Sequence, residues 1–126
     1  MITYRYNQQI DPPGSFVLVN VSTGDGSQSV DQVPAQVDTG ADLTVVPDSV
    51  VRQLRLASRG DMTISGFGAD PEMRPTYLVQ IQVHDLTAFK VEVLSDPTGS
   101  YILLGRDVLN HFRLVLDGPN QRLELD

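Results

Sequence analysis

Asp38-Thr39-Gly40 places an acid, a small hydroxyl residue and a glycine at the tip between two apolar runs. Val33-Pro34-Ala35-Gln36-Val37 leads in like a strand, and Leu43-Thr44-Val45-Val46-Pro47 leads out. A carboxylate at such a tip can take a proton from water, the hydroxyl can brace the loop, and glycine lets backbone and substrate come close. Hydrolysis by this route needs two carboxylates sharing one proton. The triplet occurs once in 126 residues, so a second chain has to supply the other acid. The plain alternative is an Asx-type turn joining two strands.

Composition narrows the chemistry. A chain of 126 residues reads as one domain, 1–126, large enough for a core without staples. Cysteine is absent, which removes disulfides, thiol nucleophiles and thiolate metal sites. The formal net charge is −7 and the nine basic residues are scattered, so nucleic-acid binding is not expected. No apolar run approaches the roughly 18 residues of a membrane span, and Met1-Ile2-Thr3-Tyr4-Arg5-Tyr6-Asn7 lacks the apolar stretch of a signal peptide. The expectation is a soluble, cytoplasmic protein with no membrane partner and no cofactor.

The elements that must position the triplet read as short strands between turns. Ile2-Tyr4-Tyr6 alternates, Pro12-Pro13-Gly14 turns, and Phe16 to Val21 forms a strand before a loop tip at Thr23–Ser27. A helix is predicted after Pro47, with Asp48 or Ser49 as N-cap and Val50, Val51 and Leu54 on one face. Met62-Thr63-Ile64 leads to a glycine-rich tip, Ser65-Gly66-Phe67-Gly68-Ala69-Asp70. Tyr77–Val83 is the cleanest alternating strand and turns at 84–87 into Phe89–Leu94. Tyr101–Gly105 is apolar throughout and reads as a buried strand; Asp107–Phe112 is predicted as a short helix. Residues 113–117 and 122–125 then make a terminal hairpin around Gly118-Pro119-Asn120. Many short strands with little helix point to an all-β barrel or sandwich.

Two further features join the triplet. Ala41-Asp42 follows it directly, and Ile102-Leu103-Leu104-Gly105-Arg106-Asp107 comes later, with the Gly66-Phe67-Gly68 tip between them. This order of motifs, over roughly residues 16 to 112, resembles the retropepsins, the single-domain homodimeric aspartic proteases of retroviruses with cellular and bacterial relatives. The resemblance implies a closed acid-protease barrel with one or two short helices and an active site at a homodimer interface. It implies that Asp38 is the catalytic carboxylate, met by its twin across a two-fold axis. Thr39 would bond to the partner's loop, and Gly40 would exchange backbone hydrogen bonds with a peptide substrate. Ala41 and Asp42 would border the substrate, and Gly66, Phe67 and Gly68 would form a flap over it. Leu103, Leu104 and Gly105 would be the strand beneath the catalytic turn, and Arg106 would pair with Asp42. No metal is implied.

The chain departs from the viral pattern in three places. Its tip has a single Phe and fewer glycines and continues through Asp70-Pro71-Glu72. A hairpin of about a dozen residues follows the last helix, and an extension precedes Phe16. Other polar residues read as structural: His84 and His111 are single and separated, and Asp96 and Asp107 beside Pro97 and Gly105 are expected to cap turns. Tyr77 is expected in the core or at the cleft edge.

By this resemblance the mechanism follows from electrostatics. Two carboxylates about 3 Å apart cannot both be charged, so the pair holds one proton. The ionised member takes a proton from water, the protonated member donates to the scissile carbonyl, and a gem-diol forms with no covalent adduct. Ala41 stands where some relatives carry Ser; with that hydroxyl donor missing, activity is expected to extend toward neutral pH. The substrate would lie extended, with alternate side chains in pockets walled by Val46, Ile64, Phe67 and Leu103, which favours hydrophobic residues. The alternative of another class is a catalytically silent module of the same fold that binds peptides or dimerises. The intact Asp38-Thr39-Gly40 argues against it, because a binding module has no need of that acid.

Overall fold

Alternation of valine and polar residues sets the frame. In the computed structural model, which describes residues 1–65 and 70–126, Val17, Val19 and Val21 point inward from one strand and Val79, Ile81 and Val83 from another, none more than 2% exposed. Among the described residues the order begins β1 (Ile2–Arg5), β2 (Phe16–Thr23), β3 (Ser29–Val37), β4 (Val45–Pro47), α1 (Asp48–Gln53) and β5 (Gly60–Ile64). It continues with β6 (Glu72–Val83), β7 (Phe89–Asp96), β8 (Ile102–Leu104), α2 (Arg106–Leu109), β9 (Leu114–Asp117) and β10 (Arg122–Leu125).

Six strands close into a barrel in the order β2-β3-β8-β4-β7-β6, with β6 pairing back onto β2. The expected all-β closed barrel with short helices is what the chain forms. Closure removes the free edges an open sheet would expose. β8 is the piece that matters for the site. It lies parallel to β3, with Ala35 opposite Ile102 and Val37 opposite Leu104, and antiparallel to β4 through Val45 and Leu103. β4 in turn runs parallel to β7. Ile102 and Leu104 are buried, but Leu103 is half-buried and Tyr101 is 37% exposed, so the buried strand expected over 101–105 is hidden on one face only.

β6 begins at Glu72, five residues before the strand read from Tyr77, because its first half pairs with β5 from Ile64↔Glu72 to Gly60↔Thr76. That hairpin carries the predicted tip; Gly66, Phe67 and Gly68 lie outside the described residues. α1 buries Val50, Val51 and Leu54 as expected, but the N-cap expectation is corrected. Pro47 holds that position with no side-chain cap, since it still pairs with Asp96 as the end of β4. Asp48 is the first helical residue and pairs with Arg52 one turn on.

α2 covers Arg106–Leu109 rather than 107–112. Gly105 precedes it, and Phe89 packs on the residues that follow: His111 stacks on that ring at 3.8 Å and Phe112 meets it edge-on at 5.8 Å. Past Asn110 the ladder tightens, with the His111 N–H donating to the Val108 carbonyl at 3.1 Å and the Phe112 N–H to Leu109 at 3.0 Å. The extension and the final hairpin then pair with each other inside one chain, as a sheet β1-β10-β9 from Ile2↔Leu125 to Arg5↔Arg122. Leu123 and Leu125 seal it onto the core. Among the described residues no helix is long and apolar enough to cross a membrane.

Candidate active site

Asp38 is the first residue past β3, and the main chain fixes it from both sides. Its N–H donates to the Leu104 carbonyl at 3.0 Å, and the preceding Val37 N–H donates to Ser15 at 2.9 Å. One carboxylate oxygen accepts the Gly40 N–H at 3.0 Å, while the Asp38 carbonyl accepts the Ala41 N–H at 3.2 Å. A Cβ at position 40 would sit 3.3 Å from that same carboxylate oxygen, so the glycine keeps the approach open. Asp38 is half-buried, and Thr39 and Gly40 are exposed.

Behind the turn, the chain crosses itself at Gly105. A Cβ there would lie 2.6 Å from the Leu43 carbonyl carbon and 3.0 Å from the Thr44 nitrogen, so only glycine lets β8 run out under the loop. The Gly105 N–H donates to the Thr44 hydroxyl at 3.0 Å. Thr44 is fully buried, and Asp107 completes it: one carboxylate oxygen accepts the Thr44 N–H at 3.0 Å, the other the Thr44 hydroxyl at 2.7 Å. The Thr44 carbonyl accepts from Leu94 at 3.2 Å. Every polar group of this buried residue is therefore satisfied, as a buried polar group must be.

This corrects the reading of Asp107 as a turn cap. It does not cap α2, which has no side-chain cap; it reaches across 63 residues to Thr44. Thr44 itself was missed. Its only signal was a hydroxyl inside the otherwise apolar run Leu43–Pro47. Asp96 does what was expected, accepting the Thr98 N–H at 3.0 Å, and that bond holds its pKa below the usual carboxylate range.

In front of the turn, Arg106 grips the loop at three points. Its N–H donates to the Ala41 carbonyl at 2.9 Å, one guanidinium nitrogen to the Thr39 carbonyl at 2.9 Å, and the other to the Asp42 carboxylate. The ion pair with Asp42 exists as expected, but it is open to solvent, with side chains 42% and 84% exposed. In that setting an ion pair contributes about 1 kcal/mol or less.

A cleft of about 400 Å³ opens beside the turn, lined by Gly40, Asp42, Leu43, Val45, Met62, Ile64 and Leu94 among others. The expected walls are partly corrected. Ile64 lines it, but Val46 is fully buried in the core and its neighbour Val45 faces the cleft, a one-residue change that swaps faces on a strand. Leu103 borders a separate cavity of about 220 Å³ with Tyr101 and Asp96. Phe67 lies outside the described residues.

The remaining polar candidates lie elsewhere. His84 bonds to the neighbouring Asp85 at 2.9 Å, His111 stacks on Phe89, and Tyr77 packs against the core. Among the described residues no cluster of three or more His, Cys, Asp or Glu is placed to hold a metal ion.

Comparison with known proteins agrees with this geometry. A family model described as "gag-polyprotein putative aspartyl protease" matches residues 20–111. A retropepsin-like aspartic protease from Rickettsia conorii is 16% identical with a TM-score of 0.63, over 98% of this chain and 88% of that one. A retroviral protease-like domain from Leishmania major is 16% identical with a TM-score of 0.53, over 89% of each chain. The protease–reverse transcriptase of a foamy virus is 15% identical with a TM-score of 0.54, over 77% of this chain but 15% of that larger one. At these identities the likeness is one of fold. No curated protein sequence matches the chain at comparable significance.

Proposed function

The chain belongs to the gag-polyprotein aspartyl protease family, and from that premise we propose that it is a homodimeric aspartic endopeptidase whose active site pairs Asp38 with Asp38 of a second copy. The observation that carries this reading is an Asp38-Thr39-Gly40 turn fastened by the chain around it, with Thr39 and Gly40 exposed at its tip and one acid where the chemistry needs two. In the dimer one Asp38 carboxylate takes a proton from the attacking water, and the other donates its proton to the scissile carbonyl. Thr39, exposed at the tip, braces the partner's turn.

The peptide lies extended between this floor and the β5–β6 hairpin, main chain to main chain. Gly40 leaves room for its backbone. Leu43, Val45, Ile64 and Leu94 make the cleft walls apolar and favour apolar side chains on the substrate. Asp42 sits at the rim with its charge answered by Arg106.

The test is the Asp38→Asn variant, which keeps the shape but can neither take nor share the proton. It is expected to keep fold and dimer and to lose cleavage of apolar extended peptides. Turnover comparable to the parent would reject the assignment.

A further inference from the structure

With no cysteine in the chain, the sulfur chemistry open to it belongs to Met1, Met62 and Met73. All three are exposed, at 76%, 37% and 65%. Methionine is usually a buried gap-filler, so an exposed set invites a reading beyond packing. Two of them sit on the same hairpin and on opposite faces of it. Met62 of β5 lines the cleft beside Gly40 and Asp42. Met73 of β6 faces away, opposite Thr63, whose hydroxyl meets its sulfur at 3.5 Å.

We propose that Met62 is an oxidation site whose sulfoxide closes the cleft to apolar side chains, while the same modification at Met73 is silent. The proposal rests on the reading of this cleft as the peptide site. Hydrogen peroxide is the oxidant. The thioether sulfur attacks the peroxide, the O–O bond breaks as the S–O bond forms, sulfur loses two electrons, and water leaves. The product is polar and chiral where the thioether was apolar and pliable.

At Met62 that oxygen enters a cleft walled by Leu43, Val45, Ile64 and Leu94, with Gly40, Asp42, Thr63 and Ser65 also in its lining. An apolar substrate side chain entering there would displace water from the sulfoxide, a cost that the thioether does not impose. At Met73, which does not line the cleft, the sulfoxide meets solvent and the Thr63 hydroxyl. The pair therefore forms an internal control: equal chemistry, one hairpin, two faces.

The experiment treats the full chain with graded hydrogen peroxide, quenches with free methionine, and maps each sulfoxide by peptide mass spectrometry. Cleavage of an apolar extended peptide is read for the parent, Met62→Leu and Met73→Leu, each normalised to its own untreated rate. Binding of the same peptide is read on Asp38→Asn, where turnover plays no part. Binding and cleavage are expected to fall about tenfold in step with Met62 sulfoxide. Met62→Leu resists peroxide, Met73→Leu responds like the parent, and a thiol-dependent sulfoxide reductase restores binding. Losses that follow Met73, that persist in Met62→Leu, or that are absent from fully oxidised Met62 would overturn the proposal. A parent that binds but never cleaves would count against the protease reading alone, because the binding arm still decides the role of Met62.

Discussion

The loop that carries Asp38 is fastened from two sides by very different means. Behind it, Thr44, Gly105 and Asp107 form a small buried knot in which each polar group of Thr44 has a partner. In front, Arg106 holds Thr39, Ala41 and Asp42 from the surface, in water. The same few residues of sequence, Gly105-Arg106-Asp107, serve both fastenings. The difference teaches where rigidity comes from. A buried donor that loses its partner cannot turn to solvent, so the knot is costly to open; an exposed ion pair gives up little when broken.

Breaking the knot sterically gives the largest expected effect. Gly105→Ala pushes a Cβ to 2.6 Å from the Leu43 backbone, which must move. A loss of about 3–5 kcal/mol is expected, since overpacking is here against main chain and not a yielding side chain. Urea unfolding at fixed chain concentration measures it. Asp107→Ala comes next, at about 3 kcal/mol, because it strands the Thr44 N–H and hydroxyl together. Asp107→Asn keeps one acceptor and is expected to fall between the alanine variant and the parent.

The front clamp is expected to behave otherwise. Arg106→Ala costs about 1 kcal/mol or less and Asp42→Ala no more than that, with both effects shrinking in high salt. A large, salt-insensitive loss in Arg106→Ala would show that the clamp, and not the knot, sets the frame. A double-mutant cycle between Arg106 and Asp42 sharpens the point by isolating the pair.

The smallest effect lies far from the site, at the β2–β3 tip. The Ser27 N–H, the Thr23 hydroxyl and the Ser27 side chain hold the Asp25 pKa down at about 2 from an ordinary 3.8. A folded pKa below the unfolded one makes the unfolded chain bind more protons between the two, so this contribution is present above about pH 4 and fades as pH falls toward 2. A carboxyl NMR titration of Asp25 checks it, with Thr23→Ala expected to move the midpoint back up.

What was legible in the sequence followed from local chemistry. The Asp38-Thr39-Gly40 corner, the strand of β8, the apolar face of α1 and the Asp42–Arg106 pair all rest on neighbouring residues or on an ordered set of motifs. Thr44 and Asp107 were hidden because their roles exist only in a contact 63 residues apart. The choice of Val45 over Val46 for the cleft was hidden for another reason. β4 is three residues long, too short for alternation to declare which face is inside.

The central claim is that the active site is shared between two copies, and mixing tests it most directly. Asp38→Asn is titrated into the parent at constant total chain concentration, with time for subunits to exchange, and peptide cleavage is followed. If each site needs two Asp38 residues, only parent–parent dimers work, and activity falls as the square of the parent fraction, to about one quarter at equal mixing. Activity that falls in simple proportion, to about one half, would mean that each chain works alone.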